Sequence, residues 1–298
     1  VMDRRALLVV AGALSLVACK PTPVPAKVEE RLLKLDLSAL EARYKGRMGF
    51  AFAREGVRGG WREDERFVYC STFKMYLAAA MLIRSQSGLE DLNRAVPITQ
   101  ADMIPHAPIT QKAVGRSLTL TELMKGTVEE SDNPAANILI REMGGLDVLR
   151  QFYRDIGDAT TRVDRLEPQM NRLDGDKDTI LPAQSVRNIE KLILSEASPL
   201  KSESKRMLLE WMVATPTGQG RLKAGVPAGW TVAHKTGSGG YGPVNDIGVL
   251  YPVDGAPIVV AAYFHGSDQS TDEGREAAIA DATRLMLTAL GQTTMDHG

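Results

Sequence analysis

Ser71 and Lys74 stand three residues apart in the stretch Cys70-Ser71-Thr72-Phe73-Lys74. On a helix that spacing puts both side chains on one face, where the amine can reach the hydroxyl. A serine hydroxyl is a weak nucleophile until a base takes its proton. A lysine beside a second cation, in a site closed to water, loses enough basicity to serve as that base. Three further polar clusters fall at boundaries between structural elements. Ser131-Asp132-Asn133 precedes Pro134, which also reads as a helix start, since Ser or Asp before a proline is a good N-cap. Lys235-Thr236-Gly237 ends a strand pattern and runs into Ser238-Gly239-Gly240. A cation, a hydroxyl and a close backbone approach suit a carboxylate ligand, though an ordinary strand end entering a hairpin looks the same. In the loop Arg165-Leu166-Glu167-Pro168-Gln169-Met170-Asn171, a carboxylate and an amide four residues apart can hold a water, as a general base and its positioning partner do.

The elements that must position these groups show as periodicities. Leu32, Leu33, Leu35, Leu37 and Leu40 predict a helix over 28–44. Residues 47–53 and 67–69 alternate like strands. Residues 71–83 are apolar nearly all round, the pattern of a buried central helix, which would carry Ser71 and Lys74 on its first turn. Helices are expected over 120–129, 135–142, 147–156 and 183–194. Between the last two, residues 162–182 are rich in Asp, Arg, Pro and Gly and lack periodicity; a loop that long in a compact domain is usually functional. Strand patterns return over 231–235, 245–251 and 258–264, and a helix over 272–290 closes the chain. Strands first and last with helices between predict an α+β fold, one sheet built by both chain ends and packed against a helical lobe.

Composition narrows the function classes. The chain has 298 residues, 44% of them hydrophobic, enough core for one large domain or two interleaved lobes. With 36 basic and 37 acidic residues, it has no global field to attract nucleic acid or an anionic membrane. Histidines at 106, 234, 265 and 297 have no ligand spacing, so neither metal nor cofactor is expected. Arg4 and Arg5 precede the apolar run Ala6–Ala18, too short to span a bilayer and suited to an export signal over 1–18. Leu16-Val17-Ala18-Cys19 resembles a bacterial lipobox, which implies a lipid on Cys19 and a membrane-anchored, periplasmic protein. Residues 19–27 are Pro-rich and expected to be an extended tether, followed by one domain over 28–294. Within it, an α/β lobe is expected over about 28–65 and 215–294, and a helical lobe over 66–214. Cys70 is then a lone thiol, expected to pack as a small hydrophobe without a disulfide, in a protein expected to be monomeric.

In this order and spacing, S-x-x-K at 71–74, S-D-N at 131–133, E-x-x-x-N at 167–171 and K-T-G at 235–237 resemble the motif set of class A serine β-lactamases. The likeness runs from about Val28 to Leu290. It takes in the whole of Ser131–Asn137, and Lys235–Gly242 followed by Asn245-Asp246. It implies a five-stranded antiparallel sheet flanked by helices, a mainly helical lobe, and a site in the cleft between them. Ser71 would attack the β-lactam carbonyl, with its proton taken by Lys74 or by Glu167 through a water. The Ser71 and Ser238 N–H groups would form the oxyanion hole. Ser131 would pass a proton to the departing nitrogen, with Lys235 holding Ser131 and the substrate carboxylate. Thr236, Gly237 and Ser238 would line the substrate site, and Asn133 would bond the acylamido side chain. Glu167 and Asn171 would position the deacylating water.

Departures from the family pattern carry their own expectations. Relatives often place a carboxylate-binding arginine on the strand after K-T-G, where this chain has Val244. Arg221 is the preferred substitute and Arg275 the alternative. His106 falls at the cleft rim, where many relatives carry an aromatic ring, and would add a group titrating near neutrality. The loop after Arg165 is slightly shorter than usual, with Arg165 and Asp178 as its basal ion pair. Gly239 replaces the cysteine that relatives with strong carbapenem hydrolysis staple to Cys70, which disfavours carbapenem turnover. Ser238, Gly239-Gly240 and Tyr241-Gly242 resemble members that hydrolyse extended cephalosporins. Penicillin-binding transpeptidases, carboxypeptidases and sensors share S-x-x-K, S-x-N and K-T-G. They lack the Glu167–Asn171 pair in this form, so the hydrolase reading is preferred.

Overall fold

The computed structural model describes residues 30–240 and 242–292. The export signal, Cys19, the tether, Tyr241 and His297 lie outside the described residues. In chain order the elements are β1 (Arg31–Lys34), α1 (Ser38–Tyr44), β2 (Gly46–Arg54), β3 (Val57–Trp61), β4 (Phe67–Val68) and α2 (Phe73–Gln86). The middle holds β5 (Ala95–Pro97), β6 (Ser117–Thr119), α3 (Leu120–Glu129), α4 (Asn133–Met143), α5 (Leu146–Asp155), β7 (Thr179–Ile180), α6 (Pro182–Ile189) and α7 (Ser202–Ala214). The end holds α8 (Leu222–Gly225), β8 (Thr231–Ser238), β9 (Pro243–Tyr251), β10 (Ile258–Gly266) and α9 (Asp272–Ala289).

Both chain ends build one sheet of order β1-β3-β2-β10-β9-β8. Five strands pair antiparallel, as expected. A sixth, β1, adds to β3 in parallel at the edge, so the sheet is one strand larger than the resemblance implies. This strand also replaces the first part of the helix expected over 28–44. Leucine spacing alone did not decide between helix and strand there. Pairing along Val57–Gly60 satisfies the backbone of Arg31–Lys34, and Leu35 N continues the ladder to Gly60 O at 3.2 Å. Only Ser38–Tyr44 remains helical. Its partner β3 carries Gly59 and Gly60, which hide the alternation of a strand. An added Cβ at Gly59 would stand 2.2 Å from Leu33 O, so that close approach needs glycine.

Two cores sandwich the sheet. One face packs on α1 and α9 through Leu40, Phe50, Phe264, Ile279 and Met286. The other packs on the helical lobe, with every residue from Phe73 to Leu82 of α2 buried. A helix buried on all sides is a rigid post, and its N-terminal end points at the end of β8. The short pair β4–β7 lies outside the main sheet and ties the entry to α2 to the end of the long loop. The helix expected over 183–194 is α6, continued by a wider π-helical turn, Glu190–Leu194.

Candidate active site

Ser71 sits in a 3-10 turn, Cys70–Thr72, that leads into α2. The turn is fastened from two sides. Asn245 Nδ2 on β9 donates to Val68 O at 2.9 Å and Tyr69 O at 3.1 Å, and Tyr69 N donates to Asp178 O at 3.2 Å. Gly237 completes this fit: a Cβ there would stand 3.0 Å from Ser71 N and 2.8 Å from Tyr69 O. Glycine therefore lets β8 lie against the Ser71 backbone.

Lys74 is fully buried at the centre. Its ammonium donates to Ser131 O at 2.7 Å and to Asn133 Oδ1, and lies 3.1 Å from Glu167 Oε1. The Ser71 hydroxyl donates to the same Glu167 oxygen at 3.4 Å. The shared helix face thus brings serine and lysine together through the carboxylate, where the spacing alone suggested a direct bond. Burial pulls Lys74 below the ordinary lysine value, and Glu167 partly offsets that.

Ser131-Asp132-Asn133 is both helix start and site. Asp132 caps α4 by accepting from Ala135 N at 2.8 Å, and it also accepts from Ile109 N and Thr110 N, each at 2.9 Å. Fixing that carboxylate aims its neighbours: Ser131 Oγ accepts from Lys235 Nζ at 3.2 Å, while Asn133 Nδ2 donates to Pro105 O at 2.9 Å. Lys235 is held well below the ordinary lysine value, first by burial and then by the Lys74 charge.

The long loop presents Glu167 from outside α2. Asn137 of α4 grips the residue's backbone through Asn137 Oδ1, 3.0 Å from Glu167 N, and Asn137 Nδ2, 2.9 Å from Glu167 O. The Asn171 amide donates to Glu167 Oε2, and Asn171 Oδ1 is buried without a hydrogen-bond partner among the described residues. Arg165 pairs with the buried Asp178 at the loop's base, where Asp178 Oδ1 also accepts from Asp164 N at 2.8 Å and Arg165 N at 3.0 Å. Cys70 is buried, and a Cβ at Gly239 would stand 3.3 Å from its sulfur. Burial pushes its thiol well above the ordinary cysteine value, so it packs as a small inert group.

These side chains surround a cleft of about 260 Å³. Ser71, Ser131, Asn133 and Asn171 face Thr217, Arg221, Thr236, Gly237 and Ser238 across it, with His106 also on its wall. His106 is exposed and its Nε2 lies 3.0 Å from Glu130 O. Of the two arginine candidates, the cleft takes one. Arg221 Nη2 donates to Ser238 Oγ at 2.8 Å, Nη1 to Asn245 O at 2.9 Å, and Nε to Glu276 Oε1 at 2.9 Å. Arg275 is not brought to the cleft; its guanidinium bonds Ser270 Oγ at 2.7 Å and Asp272 Oδ1 at 3.0 Å. Thr217, whose hydroxyl lies 2.7 Å from that of Thr236, was not singled out from sequence, nor were Asn137 and Glu276. Asn137 ends the Ser131–Asn137 stretch already noted and Thr217 stands four residues before Arg221, while Glu276 gave no local signal. A second cavity of about 340 Å³ lies between α2 and α5 and holds none of the motif residues.

A profile of the Beta-lactamase enzyme family matches residues 32–290. The chain belongs to the class A serine β-lactamase family and is a β-lactam hydrolase. A β-lactamase of Citrobacter koseri is 36% identical over 291 residues, covering 96% of this chain and 98% of the relative. The solved class A β-lactamase of the last common ancestor of Gram-negative bacteria is 42% identical with a TM-score of 0.82, covering 85% of this chain and 97% of that one. A class A β-lactamase from Mycobacterium abscessus also reaches a TM-score of 0.82 at 41% identity, over 86% and 98% of the two chains.

Proposed function

We propose that Ser71 opens the β-lactam ring and that Glu167 frees the resulting acyl-enzyme, giving antibiotic resistance. The observation that carries this division is the single carboxylate facing both steps. Glu167 Oε1 accepts from Ser71 Oγ, and Oε2 accepts from the Asn171 amide. In acylation the Ser71 proton leaves toward Glu167 as Oγ bonds to the carbonyl carbon. The Lys74 ammonium, 3.1 Å from that carboxylate, steadies the charge. The Ser71 and Ser238 N–H groups hold the oxyanion, where one donor is typically worth about 2.7–4 kcal/mol. As the lactam C–N bond breaks, Ser131 gives its proton to the nitrogen with Lys235 3.2 Å away, and regains one from Glu167 by way of Lys74, which lies 3.4 Å from Ser131 Oγ, so Glu167 is a carboxylate again. Lys235, Thr236 and Arg221 receive the substrate carboxylate, with Gly237 and Ser238 alongside, while Asn133 bonds the acylamido group. A water held between Glu167 and Asn171 then loses a proton to Glu167 as it attacks the ester carbonyl, the bond from that carbon to Ser71 Oγ breaks, and Oγ takes the proton from Glu167.

Mass spectrometry after mixing with benzylpenicillin tests this. Wild-type protein returns to its free mass, and Glu167→Ala retains a penicilloyl adduct on Ser71. A lasting adduct on wild type would instead place the chain with proteins that capture penicillins and do not release them. The cleft-lining Ser238 and the glycines after it support turnover of oxyimino-cephalosporins, and hydrolysis of benzylpenicillin with cefotaxime left intact overturns that preference. The proposal extends to place: a monomer exported to the periplasm and tethered by a lipid on Cys19. Cys19→Ala then moves activity from the membrane fraction to the soluble one. Among the described residues no helix is long and apolar enough to cross a membrane.

A further inference from the structure

Behind the K-T-G strand two ionisable side chains are buried together with no part in the chemistry above. His234 Nδ1 lies 2.8 Å from Asp246 Oδ1 and 2.9 Å from Oδ2, and neither side chain is exposed. Strand pairing puts them there. Asp246 on β9 stands opposite Thr236 on β8, and His234 is two residues back, so all three share one face of the sheet. His234 Nε2 is also buried, with no hydrogen-bond partner among the described residues. A carboxylate only accepts, so His234 donates from Nδ1 and the two side chains form one buried histidine–carboxylate pair.

Two links join this pair to the cleft. Asp246 Oδ2 accepts from Leu222 N at 3.2 Å. Gly218 packs over the pair so closely that a Cβ would stand 3.2 Å from His234 Cε1, 3.5 Å from Asp246 Oδ2 and 2.4 Å from Thr236 Cγ2. The seated turn, 217–222, carries Thr217 and Arg221 into the cleft. The second link is electrostatic. Lys235 is faced by Lys74 from α2, Arg221 from the turn, Glu167 from the loop and Asp246 from β9, and the last two favour its charged form. Glu276 of α9 is engaged with Arg221. Helix α7 turns Leu208, Trp211 and Met212 inward and leaves Glu203, Arg206 and Glu210 exposed.

We propose that His234 and Asp246 form a positioning unit for the carboxylate subsite. The pair seats the 217–222 turn that holds Arg221, and it sets the Asp246 carboxylate behind the strand that carries Lys235. The inference rests on Lys235 and Arg221 receiving the substrate carboxylate. It is tested by pH profiles of kcat and KM for benzylpenicillin, with thermal melting of each variant. In Asp246→Asn the alkaline limb of kcat/KM moves to lower pH, because Lys235 loses a charge that raised its pKa. KM rises about tenfold, the size of one charge-assisted hydrogen bond, while kcat changes far less. His234→Leu raises KM in the same way. His234→Asn, whose amide stands where Nδ1–H stands, restores it; a purely space-filling histidine would show the opposite order. Lys74 answers chiefly to Glu167, Asp132 and Cys70, so a limb belonging to Lys74 stays in place. A limb present in wild type but unmoved in folded Asp246→Asn overturns the inference alone. A wild-type profile without an alkaline limb overturns the role of Lys235 and the inference with it. If Asp246→Asn does not fold, the comparison of His234→Leu with His234→Asn decides the matter through KM.

Discussion

At the scale of single residues, the cleft concentrates three cations, Lys74, Lys235 and Arg221, around one small volume. Each is positioned by neutral acceptors as much as by carboxylates, which leaves charge free for an anionic ligand. Arg221 shows this: its Nη atoms bond the Gly237 and Asn245 carbonyls and the Ser238 hydroxyl, and only Nε meets a carboxylate. Arg221→Ala should therefore raise KM for penicillins by about 10- to 100-fold, the range for hydrogen bonds to a charged group. Arg275→Ala should leave steady-state kinetics unchanged, since its bonds stay within 267–272. Reversed results would reassign the carboxylate subsite. The motif residues were legible from sequence because their chemistry demands particular types at fixed spacing. His234 and Asp246 were not, because eleven intervening residues separate them until strand pairing sets them side by side.

At the scale of elements, the Glu167–Asn171 pair proposed for deacylation depends on a loop with little regular structure, so its anchors carry the geometry. Asn137 holds one end of the Glu167 segment. Asp178 holds the base, gathering the Arg165 guanidinium, two backbone N–H groups and the Tyr69 hydroxyl on one buried carboxylate. Asp178→Ala leaves those donors unpaired. It should cost about 3 kcal/mol in urea unfolding, the low end for breaking a buried pair because Arg165 keeps some solvent contact. The same variant should deacylate more slowly than it acylates, so penicilloyl-enzyme becomes visible by mass spectrometry. Normal stability with fast release would show that the anchor is dispensable. The loop was readable as functional from its length and composition. The edge strand β1 was not readable, because its pairing depends on β3, whose glycines carry no strand signal of their own.

Across the whole molecule, the fold stores two lysines in its interior where their charged forms are disfavoured. Proteins commonly give up stability at the sites they work with, and here that cost has a pH signature. Lys235 is fully buried and held well below the ordinary lysine value, whereas in the unfolded chain it titrates near about 10.4. Below the folded value both states bind the proton and the native state bears the desolvation penalty. Between the two values only the unfolded chain binds it, so native stability rises with pH at about 1.4 kcal/mol per unit. Lys235→Met keeps most of the side-chain volume and removes the charge. Such replacements of buried charge are often stabilising by about 1–4 kcal/mol. The variant should unfold at a higher urea concentration than wild type at pH 7, and hydrolyse penicillins poorly. Its advantage should shrink as pH rises from the lowered Lys235 value toward the unfolded one. An advantage that does not vary with pH would mean that the gain comes from packing. A variant less stable than wild type throughout would mean that the bonds from Lys235 to Ser131 and Thr236 outweigh the burial of its charge.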